Sequence, residues 1–229
     1  MVIQGVRETF IALAADHRIR LAVLSGSGRA FSAGMDVRVL HDLDVAGART
    51  LITSLHQAIE AVHHAPFPVI AAVDGPSLGA GLELALACDL RVASTTAVFG
   101  LPEVRVGVPS VIEAALLPGL LGPGRAAELL LTGQPIDAER ALAWGLVNRV
   151  VAAAAMPATL DELTAKILAG GPAAIRLQKE LMLRWRYTDL ASAIHAGIDA
   201  FARAYATGEP AEGARAFLER RPAKFSELA

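Results

Sequence analysis

One carboxylate in this sequence lies in a segment where packing alone gives no reason for a charge. Glu83 falls within SLGAGLELALACD, residues 77–89, which predicts a helix that is apolar on all sides and therefore buried. Its neighbours on the same helix face, Leu86 and Ala87, carry no charge and no hydrogen-bonding side chain. Burying an unpaired carboxylate is costly, so Glu83 must be neutralised or satisfied by groups from elsewhere in the fold. Proton transfer to a ligand, or a bond from a backbone N–H, would each meet that need.

Two loops rich in small residues could bind a developing negative charge. FSAGMD (31–36) follows the apolar run predicted as a strand at 20–24, and SLGAGLE (77–83) follows the one at 69–73. Small side chains let a ligand approach the backbone, and the first N–H groups of a helix lack intrahelical partners. Two such helix starts aimed at one point would form an oxyanion hole. Either loop alone is more simply explained as a close-packed turn.

The elements that must position these groups alternate between strands and helices up to about residue 155. Apolar runs and turn residues predict strands at 20–24, 69–73, 89–94, 97–100 and 146–151. Helical spacing predicts helices at 2–15, 46–64, 111–121 and 124–131, besides the helix of Glu83 and a short helix from Asp137 to Gly145. Later in the chain only helices are predicted, at 158–169, 172–187, 189–206 and 210–220. We therefore expect a spiral core over 1–155 and a helical region over 156–229.

The composition disfavours several classes of function. The chain has 229 residues, is 54% hydrophobic and carries a net charge of −2, so we expect neither nucleic acid nor a membrane as partner. No apolar run is long enough for a membrane span, the first ten residues do not resemble a signal peptide, and Cys88 is the single cysteine, which together predict a cytoplasmic protein.

His63 and His64 end a predicted helix, where a cation suits the dipole, and without a third ligand nearby we expect no metal.

Four motifs follow one another in a specific order along the chain. They are RAFSAGMDV, PVIAAVDGPSLGAGLELALACDLRVAS, AVFGLPEVRVGVPS and ELLLTGQPIDAERALAWGLVNRVV. Together they resemble the enoyl-CoA hydratase/isomerase family, or crotonase superfamily, over about residues 20–185, with weaker likeness in AFLERRPAKF (216–225). The resemblance implies an α/β fold, a crotonase-like spiral of strand–strand–helix units. It also implies a helical C-terminal region that covers the active site and assembles the protein into a homotrimer or hexamer.

The resemblance assigns roles to individual positions. In the family, the residue after AG in the first loop and the middle residue of a GGG-like triplet donate the two oxyanion N–H groups; here these are Met35 and Ala80. Family hydratases have two catalytic glutamates, which match Glu83 and Glu103, and 103 − 83 = 20 as in the family pattern. The matching substrate-binding positions are Ser32, Ala33, Gly34, Asp36, Val37, Arg38 and Gly79. Coenzyme A would be part of the substrate, and we expect no separate cofactor.

The activity that these features favour is hydration of a trans-2-enoyl-CoA to a 3-hydroxyacyl-CoA. Two carboxylates in one dry pocket form an acid/base pair, and burial with mutual repulsion is expected to raise at least one of their pKa values. We assign activation of water to Glu83 and protonation of the α carbon to Glu103, although the sequence does not separate these roles. The alternatives are a double-bond isomerase, which often keeps one of the two glutamates, and a non-catalytic family member: an acyl-CoA or RNA binder, or an inactive subunit. A dienoyl isomerase is disfavoured because Val111 occupies the position of its aspartate.

The family pattern begins earlier than this sequence does. Its members start with two strands and a turn, about 30 residues. Either the start of this sequence is placed too late, or the protein lacks this part, in which case we expect an exposed sheet edge and weaker binding of coenzyme A. The acyl group cannot be read from the sequence, because the variable helix 46–64 and the C-terminal region are expected to form the walls of its pocket.

Overall fold

The computed structural model describes residues 2–225. Its helices are α1 (Val2–Ala15), α2 (Val37–His41), α3 (Val45–His63), α4 (Ala80–Ala87), α5 (Leu117–Leu121), α6 (Pro123–Thr132), α7 (Ala138–Trp144), α8 (Met156–Leu168), α9 (Pro172–Trp185), α10 (Leu190–Ala204) and α11 (Glu209–Leu218). Its strands are β1 (Ala22–Ser25), β2 (Val69–Val73), β3 (Pro76–Leu78), β4 (Leu90–Ser94), β5 (Val98–Gly100), β6 (Ile136–Asp137) and β7 (Arg149–Val151). Single 3₁₀ turns lie at Pro102–Val106, Glu113–Leu116, Ala153–Ala155 and Tyr205–Thr207.

The strands form two sheets that the chain visits in alternation. The larger sheet has the order β1, β2, β4, β7 and is parallel throughout. The smaller sheet has the order β3, β5, β6, with β3 parallel and β6 antiparallel to β5. One strand in each sheet and then a helix is the repeating unit, as in β2–β3–α4, so the α/β spiral that the sequence predicts is confirmed. All five residues of β2 are buried, as expected for a parallel strand covered on both faces.

Two of the differences between the structure and the predicted elements lie next to α4. The segment DGPSLGAG (74–81), which its turn residues predict as a loop, contains β3, because Ser32 and β5 pair with it on either side. The helix predicted over 111–121 is a 3₁₀ turn, Glu113–Leu116, followed by α5. Both differences depend on hydrogen bonds to segments distant in sequence, which local periodicity does not report.

The helix that carries Glu83 lies inside the main core, as predicted. Leu82, Ala85, Leu86 and Ala87 of α4 are each no more than 3% exposed. The helix α3 packs against α4 with Leu55, Ile59 and Val62 in the same core. Because this helix is enclosed by other elements, any polar group on it must be satisfied by tertiary contacts.

Two charged side chains hold the C-terminal helices in place, one against the core and one against a neighbouring helix. Lys179 of α9 is only 4% exposed, and its Nζ donates to the Phe67 carbonyl and to Asp89 Oδ2, both at 2.8 Å. Glu209 of α11 accepts bonds of 2.8 and 2.9 Å from the N–H groups of the second and third residues of α9. This carboxylate satisfies N–H groups that a helix start leaves unpaired and complements its dipole.

After Val151 the described chain, up to residue 225, forms helices and turns. The division into a core over 1–155 and a helical region over 156–229 stays a prediction.

At the opposite edge of the larger sheet, β1 is the outer strand, and its residues alternate between half-buried and exposed. Within residues 2–225, no helix has both the length and the apolar character that crossing a bilayer requires.

Candidate active site

A cavity of about 560 Å³ opens beside the N-terminus of α4. Its wall is mostly apolar, and the polar side chains in it are those of Arg49, Glu83, Glu103, Arg105 and Ser110. Such a concave apolar site with a few convergent polar groups is typical of a small-molecule binding site. The predicted site residues in the wall are Ala33, Gly34, Met35, Val37, Gly79, Ala80, Glu83 and Glu103.

The two small-residue loops lie against each other at this cavity. The Ser32 N–H donates to the Pro76 carbonyl at 3.1 Å, and the Leu78 N–H donates to the Ser32 carbonyl at 2.9 Å. Gly34 has a φ of 84°, and a side chain on it would lie 2.7 Å from the Leu78 carbonyl and 3.4 Å from the Ala80 nitrogen. Small residues are therefore required for the two backbones to approach, as the sequence predicts.

The two predicted oxyanion donors are both free to bind a ligand. Within residues 2–225, neither the Met35 N–H nor the Ala80 N–H donates a hydrogen bond to another protein group. Ala80 is the first residue of α4, so its N–H has no intrahelical acceptor and lies at the positive end of the helix dipole. Both residues lie in the cavity wall, which is where a carbonyl oxygen could accept from them.

Glu83 is buried but not unsatisfied. The residue is 3% exposed, and its Oε1 accepts a hydrogen bond of 3.0 Å from the Ala114 N–H, which belongs to the 3₁₀ turn Glu113–Leu116. Burial raises the pKa of Glu83 to about 7, the Ala114 bond opposes that rise, and the charges of Glu103 and Glu113 add to it. The rise follows the direction predicted for a pair of carboxylates in a dry pocket. Near neutral pH this carboxyl group can therefore both accept and return a proton.

Glu103 reaches the same cavity from a different element. It lies in the 3₁₀ turn Pro102–Val106, is half-buried, and its Oε2 accepts a hydrogen bond of 2.8 Å from the Ser110 hydroxyl. Its Oε1 lies beside Gly79, at 2.6 Å from where a side chain on that residue would begin. The structure thus brings together two carboxyl groups that are 20 residues apart in the sequence. Each accepts one hydrogen bond from the segment 110–114, Glu103 from Ser110 and Glu83 from Ala114.

The sequence profile of the enoyl-CoA hydratase/isomerase family matches residues 2–228, nearly the whole chain. The chain belongs to this family.

Individual relatives agree with this assignment. A crotonyl-CoA hydratase from Syntrophomonas wolfei is 38% identical over 96% of this chain and 85% of the relative. A short-chain-enoyl-CoA hydratase from Clostridium acetobutylicum is 34% identical over 90% of this chain and 80% of the relative. The crystal structure of an enoyl-CoA hydratase from Mycobacterium smegmatis superimposes with a TM-score of 0.94 and 33% identity, covering 98% of this chain and 88% of that one. The predicted crotonase-like fold is confirmed.

Three predicted substrate-binding residues of this enoyl-CoA hydratase/isomerase family member lie outside the cavity wall. Ser32 joins the two loops, as described above. Asp36 caps α2 by accepting a bond from the Arg38 N–H, and the Arg38 guanidinium, with its side chain 88% exposed, pairs with the Asp36 carboxylate. The geometry gives all three a structural contact, and their contact with substrate stays a prediction.

His63, the last residue of α3, is not placed as a cation. His63 is buried, its Nδ1 lies 3.2 Å from the Ala87 carbonyl, and burial lowers its pKa to about 4. The prediction of a cation at this position is therefore wrong for His63, because desolvation outweighs the attraction of the helix dipole. Among residues 2–225, no group of three or more His, Cys, Asp or Glu residues could hold a metal ion.

Sequence reasoning missed the residues that hold the glutamates. Ser110 follows Glu103 by seven positions, and Ala114 follows Glu83 by 31, so neither contact has a local spacing signal. It also placed part of the pocket wall in the C-terminal region, whereas every wall residue among those described lies between Ala33 and Val111. The helix α3 does contribute, with Leu51, Ile52 and Leu55 among others.

Removing the buried carboxyl group should stabilise this family member at neutral pH and above. Because the pKa of Glu83 is about 7 in the folded protein and 4.5 ordinarily, the folded state binds the proton more tightly than the unfolded chain. The contribution of Glu83 to stability is therefore greatest below pH 4.5, and it is lost as the pH rises to about 7. Relative to wild type, Glu83→Gln should gain up to about 3 kcal/mol in free energy of unfolding between pH 4.5 and 8. Urea unfolding across this range measures the gain, and a pH-independent difference would contradict the shifted pKa.

Proposed function

We propose that this protein hydrates a trans-2-enoyl-CoA to a 3-hydroxyacyl-CoA, with Glu83 and Glu103 as the acid/base pair. The observation that carries the proposal is the joint position, in one apolar cavity, of both carboxyl groups and of two backbone donors, Met35 and Ala80, that have no partner among residues 2–225. Relatives named as hydratases, at 34% and 38% identity, support the reaction type.

The thioester oxygen of the substrate accepts hydrogen bonds from the Met35 and Ala80 N–H groups. These donors stabilise the negative charge that the oxygen gains when the substrate becomes an enolate. Because the donors belong to two rigid loops packed against each other, little reorganisation is needed when the charge develops. The apolar wall excludes bulk water and strengthens the same hydrogen bonds.

The two glutamates hold the water and move its protons. Glu83 takes a proton from the water as the oxygen bonds to the β carbon, and the Glu103 carboxyl group gives a proton to the α carbon. The sum is the addition of one H and one OH across the double bond, and proton exchange with water then restores each carboxyl group. The raised pKa of Glu83 favours this role, since a base is most effective when its pKa lies near the working pH.

Double-bond isomerisation is the second candidate, because the same enolate would form. It requires a carboxyl group to carry a proton between two carbons and needs no bound water. The firm placement of both glutamates favours hydration. Crotonyl-CoA and a 3-enoyl-CoA, assayed in parallel, decide between them: loss of the conjugated enoyl absorbance with only crotonyl-CoA supports hydration, and conversion of only the 3-enoyl-CoA supports isomerisation. Tight binding of both without turnover would support a non-catalytic binder.

No separate cofactor enters this scheme, because the acyl thioester supplies the electron sink and the carboxyl groups supply the proton transfers. A cavity of about 560 Å³ with aliphatic walls suits a short or medium acyl group. Part of the cavity wall comes from α3. We propose that this helix contacts the acyl group and selects its chain length.

Self-association through the C-terminal helices is the second part of the proposal. An apolar stripe runs along α10 and just beyond it, formed by Leu190, Ile194, Ile198, Phe201 and Tyr205. Each of these side chains is more than half exposed, and the spacing of three and four places them on one helix face. Such a contiguous apolar face is typical of a protein interface. We expect it to bind other copies of the chain in a homotrimer or hexamer.

A charge in this stripe should prevent assembly. Phe201 is 68% exposed, so Phe201→Asp removes little from the fold of the subunit but places a carboxylate in the interface. Sedimentation equilibrium should show a trimer or hexamer for wild type and a monomer for the variant. Leu131→Asp, at a 77% exposed position on α6, is the matched control and should leave the assembly intact. A wild-type protein that sediments as a monomer would contradict the proposal.

A further inference from the structure

A third glutamate lies behind the candidate active site and outside its cavity. Glu113 opens the 3₁₀ turn Glu113–Leu116 and is 7% exposed. Its Oε1 lies 2.8 Å from Nδ1 of His56, a half-exposed residue of α3, while its Oε2 is buried without a hydrogen bond to any residue in the described part of the chain. A second cavity, of about 300 Å³, has both His56 and Glu113 in its wall.

The turn that Glu113 begins also supplies the donor to Glu83. The Ala114 N–H belongs to the planar peptide unit that joins Glu113 to Ala114, so the position of Glu113 fixes the direction of that N–H. This is the N–H that donates to Glu83 Oε1 at 3.0 Å. A side-chain contact on one side of the turn, from His56 to Glu113, is therefore coupled to a main-chain contact on its other side.

Stability alone is a poor explanation for this pair. A buried ionic or hydrogen-bonded pair often contributes no more to folding than apolar side chains of similar volume, because desolvation offsets the attraction. The position after Ile112 could therefore hold an apolar residue at little cost. Glu113 also adds a negative charge near Glu83, an arrangement that a purely structural contact does not need.

We propose that the His56–Glu113 pair is a positioning device for the catalytic base: it ties the turn Glu113–Leu116 to α3 and so keeps the Ala114 N–H on the Glu83 carboxyl group. The inference rests on the proposed function, since it assumes that Glu83 acts as a base. Neither His56 nor Glu113 lies in the wall of the substrate cavity, so the pair acts through Glu83.

The charges around the pair determine how its loss appears in a pH profile. Glu83 faces Glu103 and Glu113, and the negative charge of each raises its pKa. Glu113 faces His56, whose Nε2 lies 4.0 Å from Glu60 Oε1, and burial raises the pKa of Glu113 itself. The remaining titratable groups in the wall of the second cavity are His63, His64 and Tyr187. Removing the Glu113 charge should therefore lower the pKa of Glu83.

Three variants separate the hydrogen bond from the charge. His56→Ala removes the hydrogen bond and should lower kcat about 10- to 100-fold, with little change in KM. The magnitude is taken by analogy from metal sites, where losing a residue that orients a ligand has an effect of this size. His56→Asn keeps a donor near the Nδ1 position and should retain most of the activity. Glu113→Gln keeps the acceptor for His56 but removes the charge, so kcat should fall only a few-fold while the acidic limb of the pH profile moves to lower pH. Glu60→Gln, on the exposed side of His56, is the matched control and should match wild type.

Imidazole provides an independent readout. Because His56 is half-exposed and lines a cavity of about 300 Å³, added imidazole can enter the space left by His56→Ala. Added imidazole should raise kcat in His56→Ala and leave kcat unchanged in wild type and in Glu60→Gln. Equal loss of activity in His56→Ala and His56→Asn, or an unshifted pH profile in Glu113→Gln, would overturn the proposal.

The proposed function can fail without leaving the positioning role unresolved. A ¹³C NMR titration of the Glu83 carboxyl group in wild type, His56→Ala and Glu113→Gln needs no turnover. A higher pKa of Glu83 in His56→Ala supports the positioning role even if no enoyl-CoA is hydrated, because the Ala114 bond that lowers this pKa is weakened. An unchanged pKa of Glu83 in His56→Ala overturns the role even if wild type is an active hydratase.

Discussion

Replacing Glu83 or Glu103, the proposed acid/base pair, by glutamine should lower the rate of hydration by about 10²–10⁴, the usual contribution of a positioned acid or base. Glutamine keeps the size of the side chain and still accepts a hydrogen bond, so Glu83→Gln retains the Ala114 contact and Glu103→Gln retains the Ser110 contact. Proton transfer is the property that is lost. Steady-state kinetics with crotonyl-CoA measure the effect, which should appear in kcat far more than in KM.

The double variant distinguishes a pair from two independent groups. Residues that act as a unit give non-additive losses, so Glu83→Gln combined with Glu103→Gln should be little worse than either single change. Glu139→Gln, an exposed glutamate on α7, is the matched control and should keep full activity. An isomerase would give one severe and one mild variant. Two single variants that both turn over crotonyl-CoA at the wild-type rate would remove the glutamate pair from the mechanism.

Removing one oxyanion donor is the second change with a large expected effect. Ala80→Pro deletes the N–H at the first position of α4, and loss of one such donor costs on the order of 10²–10³ in rate. Proline is well tolerated at the first position of a helix, so the fold should survive. The assay is again hydration of crotonyl-CoA, with thermal unfolding measured on the same samples.

The control for this experiment is a substitution that leaves the donor in place. Ala80→Gly changes the side chain and keeps the N–H, so its activity should stay close to wild type. Normal turnover in a folded Ala80→Pro protein would show that the Ala80 N–H is not an oxyanion donor. Equal losses in Ala80→Gly and Ala80→Pro would instead point to the methyl group and contradict a backbone role.

The sequence by itself determined the features that depend on local chemistry. Alternation of apolar runs and small-residue turns indicated an α/β spiral, and Asp137 and Gly145 marked the two ends of α7, where the structure has them as its caps. The lack of any partner for Glu83 on its own helix showed that its partner must come from elsewhere. These properties are encoded within a few neighbouring residues, so they can be read without the fold.

Only the tertiary structure decided what surrounds each ionisable group. The Ala114 N–H on Glu83, the Ser110 hydroxyl on Glu103 and the buried, uncharged state of His63 arise from elements that meet through the core. A pKa depends on desolvation and on charges within a few ångströms, and these are set by distances in space. The same holds for His56 and Glu113, which are 57 residues apart in the chain and 2.8 Å apart in the fold, because packing of α3 against the turn after the active site brings them together.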